Sequence, residues 1–316
     1  MKKIGLLLLI CLSVAAYAQQ AEDATAAATT SNPAAFPIER VQTPTYADLY
    51  CAGFVTKQLE PESNYVAGGL QTPSTTKYVN GDLVYLAGGG YQIGKEYSIL
   101  REMHDPNRYE LFPGQDRLMK AAGQPYGNIA RVRILDTRSK MAVAQVQFSC
   151  DPVNPGDIAV PFVEPTPISF HPSLTFDRFL PPSSKLSGRI VMSKDFDYEL
   201  GTGAKVYLNV GSNQGVKVGD YFRAVRSYET DYKDPVDSLS FKATIAEDTQ
   251  EKPPSFDANM FTRTKGPNIH VADLPRRGTG EIVVLSTTPT TSTGMIVFAL
   301  EDVHAGDGVE LDQQQP

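Results

Sequence analysis

The chain has 316 residues, with 25 glycines, 23 prolines, no tryptophan and 41% hydrophobic residues. That apolar share is enough for real cores and too high for a fully disordered chain, and the length suits about two domains. A net charge of -7 gives a surface that repels phosphate backbones, which argues against a nucleic-acid partner.

Lys2 and Lys3 precede an apolar run from Ile4 to Ala16, and Ala16-Tyr17-Ala18 has the small-x-small form of a cleavage signal. Residues 1–18 therefore read as a signal peptide cut after Ala18, which places the mature chain in the periplasm or outside the cell (secreted). A retained anchor is the alternative, but a run of about 13 apolar residues is short for a hydrocarbon core of about 30 Å. Ile10 stands before Cys11, where lipid attachment needs a small residue. No later segment combines the length and apolarity of a spanning helix, so the mature chain reads as not membrane-spanning. Residues 1–18 hold two lysines and no acid, so their removal takes the net charge from -7 to -9.

Residues 19–46, rich in Ala, Thr, Gln and Pro, read as a flexible tether. A first β-domain follows over 47–161. Its short alternating runs, such as Val132 with Ile134 and Val146 with Phe148, are bounded by Gly, Asn, Asp and Pro and read as strands joined by turns. Inside it, an insertion at about 102–126 carries Gln115–Ala122, expected as a short helix closed by Gly123. A Pro-rich linker is assigned to 162–183; the run from Val160 to Pro167 is expected to be stiff and extended. A second β-domain occupies 184–312. Its longer insertion, 227–277, reads either as a disordered or loosely packed flap or as a partner-binding element. Tyr228, Tyr232, Phe256 and Phe261 are its candidates for partner contact.

The two domains repeat one another. Gly127–Asp157 aligns without a gap on Arg277–Asp307 at an offset of 150 residues, with Leu135 on Leu285, Val146 on Ile296 and Gly156-Asp157 on Gly306-Asp307. Val84-Tyr85-Leu86 matches Val206-Tyr207-Leu208, while Gly94, Tyr97 and Arg101 fall on Gly219, Phe222 and Arg226. The first block, Cys51-Ala52-Gly53-Phe54-Val55, is matched to Leu186-Ser187-Gly188-Arg189-Ile190. Chance alternation explains single strands, but hardly three blocks in one order. The fold class expected is all-β: two tandem duplicated small β-barrel-like domains after a signal peptide and flexible tether. The matched aromatic pairs, Tyr85 with Tyr207 and Tyr97 with Phe222, are expected to pack in the cores.

After cleavage Cys51 and Cys150 remain. An oxidising compartment favours a disulfide between them, and two separate buried thiols are the alternative. The repeat sets Cys51 on Leu186 and Cys150 on Leu300, so both positions are expected to face inward.

The search for chemistry yields no catalytic site, no metal site and no cofactor motif. His104, His171, His270 and His304 form no H-x-x-x-H or H-E-x-x-H pattern, and no G-x-S-x-G occurs. Gly88-Gly89-Gly90 lacks the Lys and helix start of a phosphate loop and reads as a turn. Asp157, Asp220 and Asp307 each follow a glycine and read as turn residues bonded to local amides. Glu301-Asp302 reads as solvated loop charge.

The block V-Y-L-N-V-G-S-N-Q-G-V-K-V-G-D-Y-F-R-A-V-R, Val206 to Arg226, resembles the small β-module at the C-terminus of the flagellar assembly protein T. It is also similar to modules of uncharacterised bacterial envelope proteins that carry LysM domains. The strand G-E-I-V-V-L and the late Gly306-Asp307 fit the same pattern. The resemblance implies an exported, non-enzymatic structural or interaction module of the cell envelope, with an envelope protein or a glycan as partner. A peptidoglycan- or polysaccharide-binding protein is the alternative, and a hydrolase with an unrecognised site in the long insertion is the weakest reading.

Overall fold

Short alternating strands have one apolar face each, and a sheet of them buries that face by curling onto itself. The computed structural model describes residues 35–37, 41–170, 175–227 and 275–312. Residues 1–18, read as a signal peptide, most of the segment read as a tether, and the four aromatic candidates of the long insertion, Tyr228, Tyr232, Phe256 and Phe261, lie outside the described residues.

In chain order the elements of the first half are strand β1 (Ala35–Pro37), helix α1 (Tyr46–Tyr50), β2 (Phe54–Thr56), β3 (Tyr65–Gly69), β4 (Leu83–Ala87), β5 (Glu96–Glu102), helix α2 (Gln115–Ala122), β6 (Gln124–Asp136), β7 (Ala142–Ser149) and β8 (Ile158–Pro161). The second half follows with β9 (Thr175–Asp177), β10 (Ser187–Ser193), β11 (Glu199–Leu200), β12 (Lys205–Leu208), β13 (Tyr221–Arg226), β14 (Arg277–Thr287), β15 (Ser292–Ala299), β16 (Val303–His304) and β17 (Gly308–Leu311). β1 and β9 pair antiparallel, Ala35 opposite Asp177, in a small unit of their own. All the other strands belong to one compact unit that holds two barrels.

Around the first barrel the staves run β3-β4-β7-β6-β5-β8, and β8 returns to β3 with Ile158 opposite Tyr65. Around the second they run β10-β12-β15-β14-β13-β17, and β17 closes on β10 with Val309 opposite Gly188. The two circuits are the same, stave for stave. Their irregularities repeat as well. Register slips at Arg131/Val132 and Ile134/Asp136 recur at Glu281/Ile282 and Val284/Ser286, and the slip at Ile99/Leu100 recurs at Ala224/Val225. Such bulges add the local bend and twist that let short strands close. The chain is all-β with a duplicated barrel, as the repeat predicts.

One alignment is corrected. The stave equivalent to β10 is β3, not the Cys51–Val55 run. The Val66 N–H donates to the Asp157 carbonyl and its carbonyl accepts from Gly156, as Ile190 does with Asp307 and Gly306. Asn64-Tyr65-Val66 therefore answers Gly188-Arg189-Ile190. A small alternating pattern fits any short strand, and closure of the wall decides which strand becomes a stave.

Each barrel fills its own interior. Val66, Val84, Leu86, Ile99, Val132 and Val146 pack in the first, and Ile190, Val206, Leu208, Phe222, Ile282 and Ile296 in the second. At roughly 1.5–3 kcal/mol for each large side chain buried, either set is a substantial core. Helix α2 forms at the residues expected, and Gly123 closes it at φ 117°. Among the described residues no helix is long and apolar enough to cross a membrane.

Candidate functional site

Each barrel carries the same clasp. The turn before β8 needs a left-handed residue, supplied by Gly156 at φ 95°, and the turn before β17 by Gly306 at φ 99°. The next residue is the aspartate. Arg101 donates from Nε and Nη2 to the two Asp157 oxygens, both at 2.8 Å, and from Nη2 to the Pro152 carbonyl at 2.8 Å. Arg226 does the same with Asp307 at 3.0 and 2.8 Å, and with the Asp302 carbonyl at 2.7 Å. Each aspartate also accepts a backbone N–H, from Asn154 or His304. The turn reading of Asp157 and Asp307 thus holds, and a bidentate arginine completes each carboxylate.

The two copies differ in what they do with their outer faces. From Cys51 through β2, ahead of the first stave, the chain runs as a strap between the first barrel and the second. Three of its carbonyls accept hydroxyl donors there. Tyr207 donates to Ala52 at 3.0 Å, Thr293 to Gly53 at 3.0 Å and Thr291 to Val55 at 2.5 Å. Gly53 is the pivot: its φ is 69°, and a Cβ there would meet the Tyr207 hydroxyl at 2.5 Å and the Tyr126 carbonyl at 2.6 Å. On its other side the strap pairs with the first barrel, Phe54 opposite Tyr126 and Thr56 opposite Gln124.

Helix α1 anchors the strap. Thr45 and Asp48 form a capping box, with Thr45 N–H to Asp48 Oδ2 at 2.9 Å and Asp48 N–H to Thr45 Oγ1 at 3.2 Å. Asp48 also takes a bond from Lys205 Nζ of β12 at 2.5 Å. Tyr50 is buried against Phe148 and Phe162, and Arg131 sits over the rings of Tyr46 and Phe162. The strap begins at Cys51, which is disulfide-bonded to Cys150 at the end of β7 with a Cα–Cα distance of 5.6 Å. The expected bridge is present. The expected inward orientation is not: both cysteines are half-buried, and Cys51 begins the strap instead of lying in a stave.

The first insertion completes the junction. Leu118, Met119 and Ala122 of α2 pack with Val55 and with Val191, Met192, Phe196 and Tyr207 of the second barrel. Gln115, 1% exposed, donates to the Val191 carbonyl at 3.2 Å, and Asn107 to the Phe196 carbonyl at 3.0 Å. Phe112 lies against the Gly306 turn, where a Cβ would meet its ring at 2.8 Å. Tyr207 is therefore not a barrel-core residue as expected; it faces the junction, and burial pushes its phenol well above its ordinary value. Its counterpart Tyr85 is only half-buried. Tyr97 and Phe222 do lie in the cores.

The chemistry available here is positional. Asp157, Asp307 and Glu310 are bonded to Arg101, Arg226 and Arg276, and Glu301 to Arg277, so Glu301 is a pairing residue and not solvated charge. Among the described residues no group of three or more His, Cys, Asp or Glu side chains converges to hold a metal ion. Of the sequence candidates, the structure brings Cys51 and Cys150 together. The junction residues Thr291, Thr293 and Lys205 carry no motif. Their one signal is departure from the repeat, since Thr291-Ser292-Thr293 stands where the first copy has Met141-Ala142-Val143. Comparison with protein-family models finds no match, and comparison with curated proteins finds no significant relative.

Proposed function

We propose that this protein is an exported, non-catalytic structural or interaction module of the bacterial cell envelope, released by cleavage after Ala18. The observation that carries the reading is the Cys51–Cys150 disulfide at the root of the inter-barrel strap. Such a bond persists in oxidising compartments and is rare in the cytosol. Two barrels joined by a strap, a helix and an apolar junction hold two surfaces at a fixed spacing, which is what a scaffold requires. The resemblance of Val206–Arg226 to envelope β-modules supports the same reading.

Cell fractionation with non-reducing mass spectrometry tests it. The expected result is mature protein beginning at Gln19, in the periplasmic or secreted fraction, with the two cysteines linked. Full-length protein in the cytosol with free thiols overturns it. Binding to peptidoglycan or another polysaccharide is the second reading. It is favoured by Tyr46, a half-exposed ring backed by Tyr50 at an interplanar angle of 2°. Cosedimentation with purified sacculi checks it, and an empty pellet removes it.

A further inference from the structure

Helix α1 covers the outer face of the β6–β7 hairpin at Arg131 and Phe148, but the end of that face next to the turn, equivalent to the surface that receives the strap on the second barrel, is open. Leu135 is 45% exposed and Met141 42% exposed, whereas their counterparts Leu285 and Thr291 are 3% and 2% exposed. The β4–β5 turn brings a third apolar side chain beside them. Gly94 N–H donates to the Ile134 carbonyl at 2.8 Å and Ile134 N–H to the Lys95 carbonyl at 3.0 Å, so Ile93, 64% exposed, borders the end of β6.

Positive charge rims this tip. Lys95, Arg133 and Lys140 are exposed there, and none of them pairs with an acid among the described residues. The neighbouring acids are already engaged, Glu96 with Arg131 at 3.9 Å and Asp136 with Arg138 at 2.6 Å. The cations are particular to this copy: Asp220, Val283 and Thr290 occupy the equivalent places in the second barrel. In a chain of net charge -7 this is a local reversal of sign.

The open face is not shaped for another strap. Thr291 and Thr293 hold the strap by donating to its carbonyls, and their counterparts Met141 and Val143 have no donor. Exposed aliphatic side chains ringed by lysine and arginine complement an interface that is apolar below and negatively charged above. We propose that this end of the first barrel docks on an anionic phospholipid surface, with Ile93, Leu135 and Met141 entering the headgroup region and Lys95, Arg133 and Lys140 facing the headgroups. The proposal rests on the envelope reading and names the partner of that module.

Purified mature protein is sedimented with phosphatidylglycerol-containing vesicles and with phosphatidylcholine vesicles. Binding to the first and not the second is expected, weakened by salt. Lys95→Glu with Lys140→Glu should lower partitioning by about fivefold or more for each cation removed. Ile93→Ser with Leu135→Ser and Met141→Ser should abolish it, with melting curves unchanged because all three side chains are at the surface. Failure to pellet with anionic vesicles overturns the proposal, as does pelleting that both variants leave intact. Light scattering that shows a dimer dissolved by the apolar variant, without vesicle binding, also overturns it in favour of a second copy of this chain. Vesicle binding is read on purified protein, so its failure leaves the cell-fractionation result for the envelope reading standing on its own.

Discussion

The two barrels share their wall and differ in their outsides. Stave order, bulges and the arginine–aspartate clasp are common to both. The first two are backbone features, set by strand pairing and turn glycines, and the clasp is one side-chain ion pair buried at its aspartate. What differs is the use of the outward positions. The first copy sends out a strap and a helix; the second presents hydroxyls and an apolar patch to receive them. After a duplication the interior must stay apolar and filled, as Val132 against Ile282 and Tyr97 against Phe222 show, because a core side chain packs against several staves. An outward position has no such constraint and can change singly.

The largest test of this contrast is the staple that only the first copy has. The bridge closes a loop of 99 residues, and replacing both partners, Cys51→Ser with Cys150→Ser, should cost about 4.7 kcal/mol in the chain-entropy picture. Urea unfolding at the parent's midpoint would show that the staple contributes nothing. Next come the clasps. Asp307→Ala leaves Arg226 half-buried without its partner and should cost about 3 kcal/mol. Asp157→Ala should cost less, because the Arg101 side chain is 30% exposed against 16% for Arg226. Equal losses would mean that burial does not set the strength of this pair.

Smaller effects separate the matched tyrosines. Tyr207→Phe orphans the Ala52 carbonyl at the junction and should cost about 1 kcal/mol, while Tyr85→Phe should leave the melting temperature unchanged. A reversed order would contradict the junction geometry. The smallest effect is one of pH. Burial alone would raise the Asp48 pKa, but the bonds from Lys205 and Thr45 outweigh it and hold the carboxyl below its ordinary 3.8. The group thus contributes stability that is complete above that pH and is lost as pH falls through the lower folded value. Asp48→Asn should flatten the acid limb of a stability–pH curve by a few tenths of a kcal/mol. An unchanged acid limb would remove Asp48 from the account.

Much of the fold is legible because the repeat is a tertiary statement written in sequence. The offset of 150 aligns β6 with β14 and β7 with β15, bulges included, and Gly156-Asp157 aligned with Gly306-Asp307 marks the turn at each clasp but not the arginine that completes it. The first block failed for a physical reason. β2 has the apolar alternation of a stave, yet it pairs with β6 on one side and the second barrel on the other. Alternation reports that one face of a strand is buried and is silent on what buries it.

The sequence by itself determined the all-β class, the duplication and the position of α2, because each follows from local periodicity, turn residues or internal repetition; it favoured the Cys51–Cys150 bridge over two buried thiols. Tertiary structure alone decided that Cys51 begins an inter-barrel strap, that Tyr207 faces outward and that the hairpin face carrying Leu135 and Met141 stays open. Those outcomes depend on which surfaces meet. Residues as far apart as Gly53 and Thr293 come together only when both barrels have closed, and no local pattern encodes that encounter.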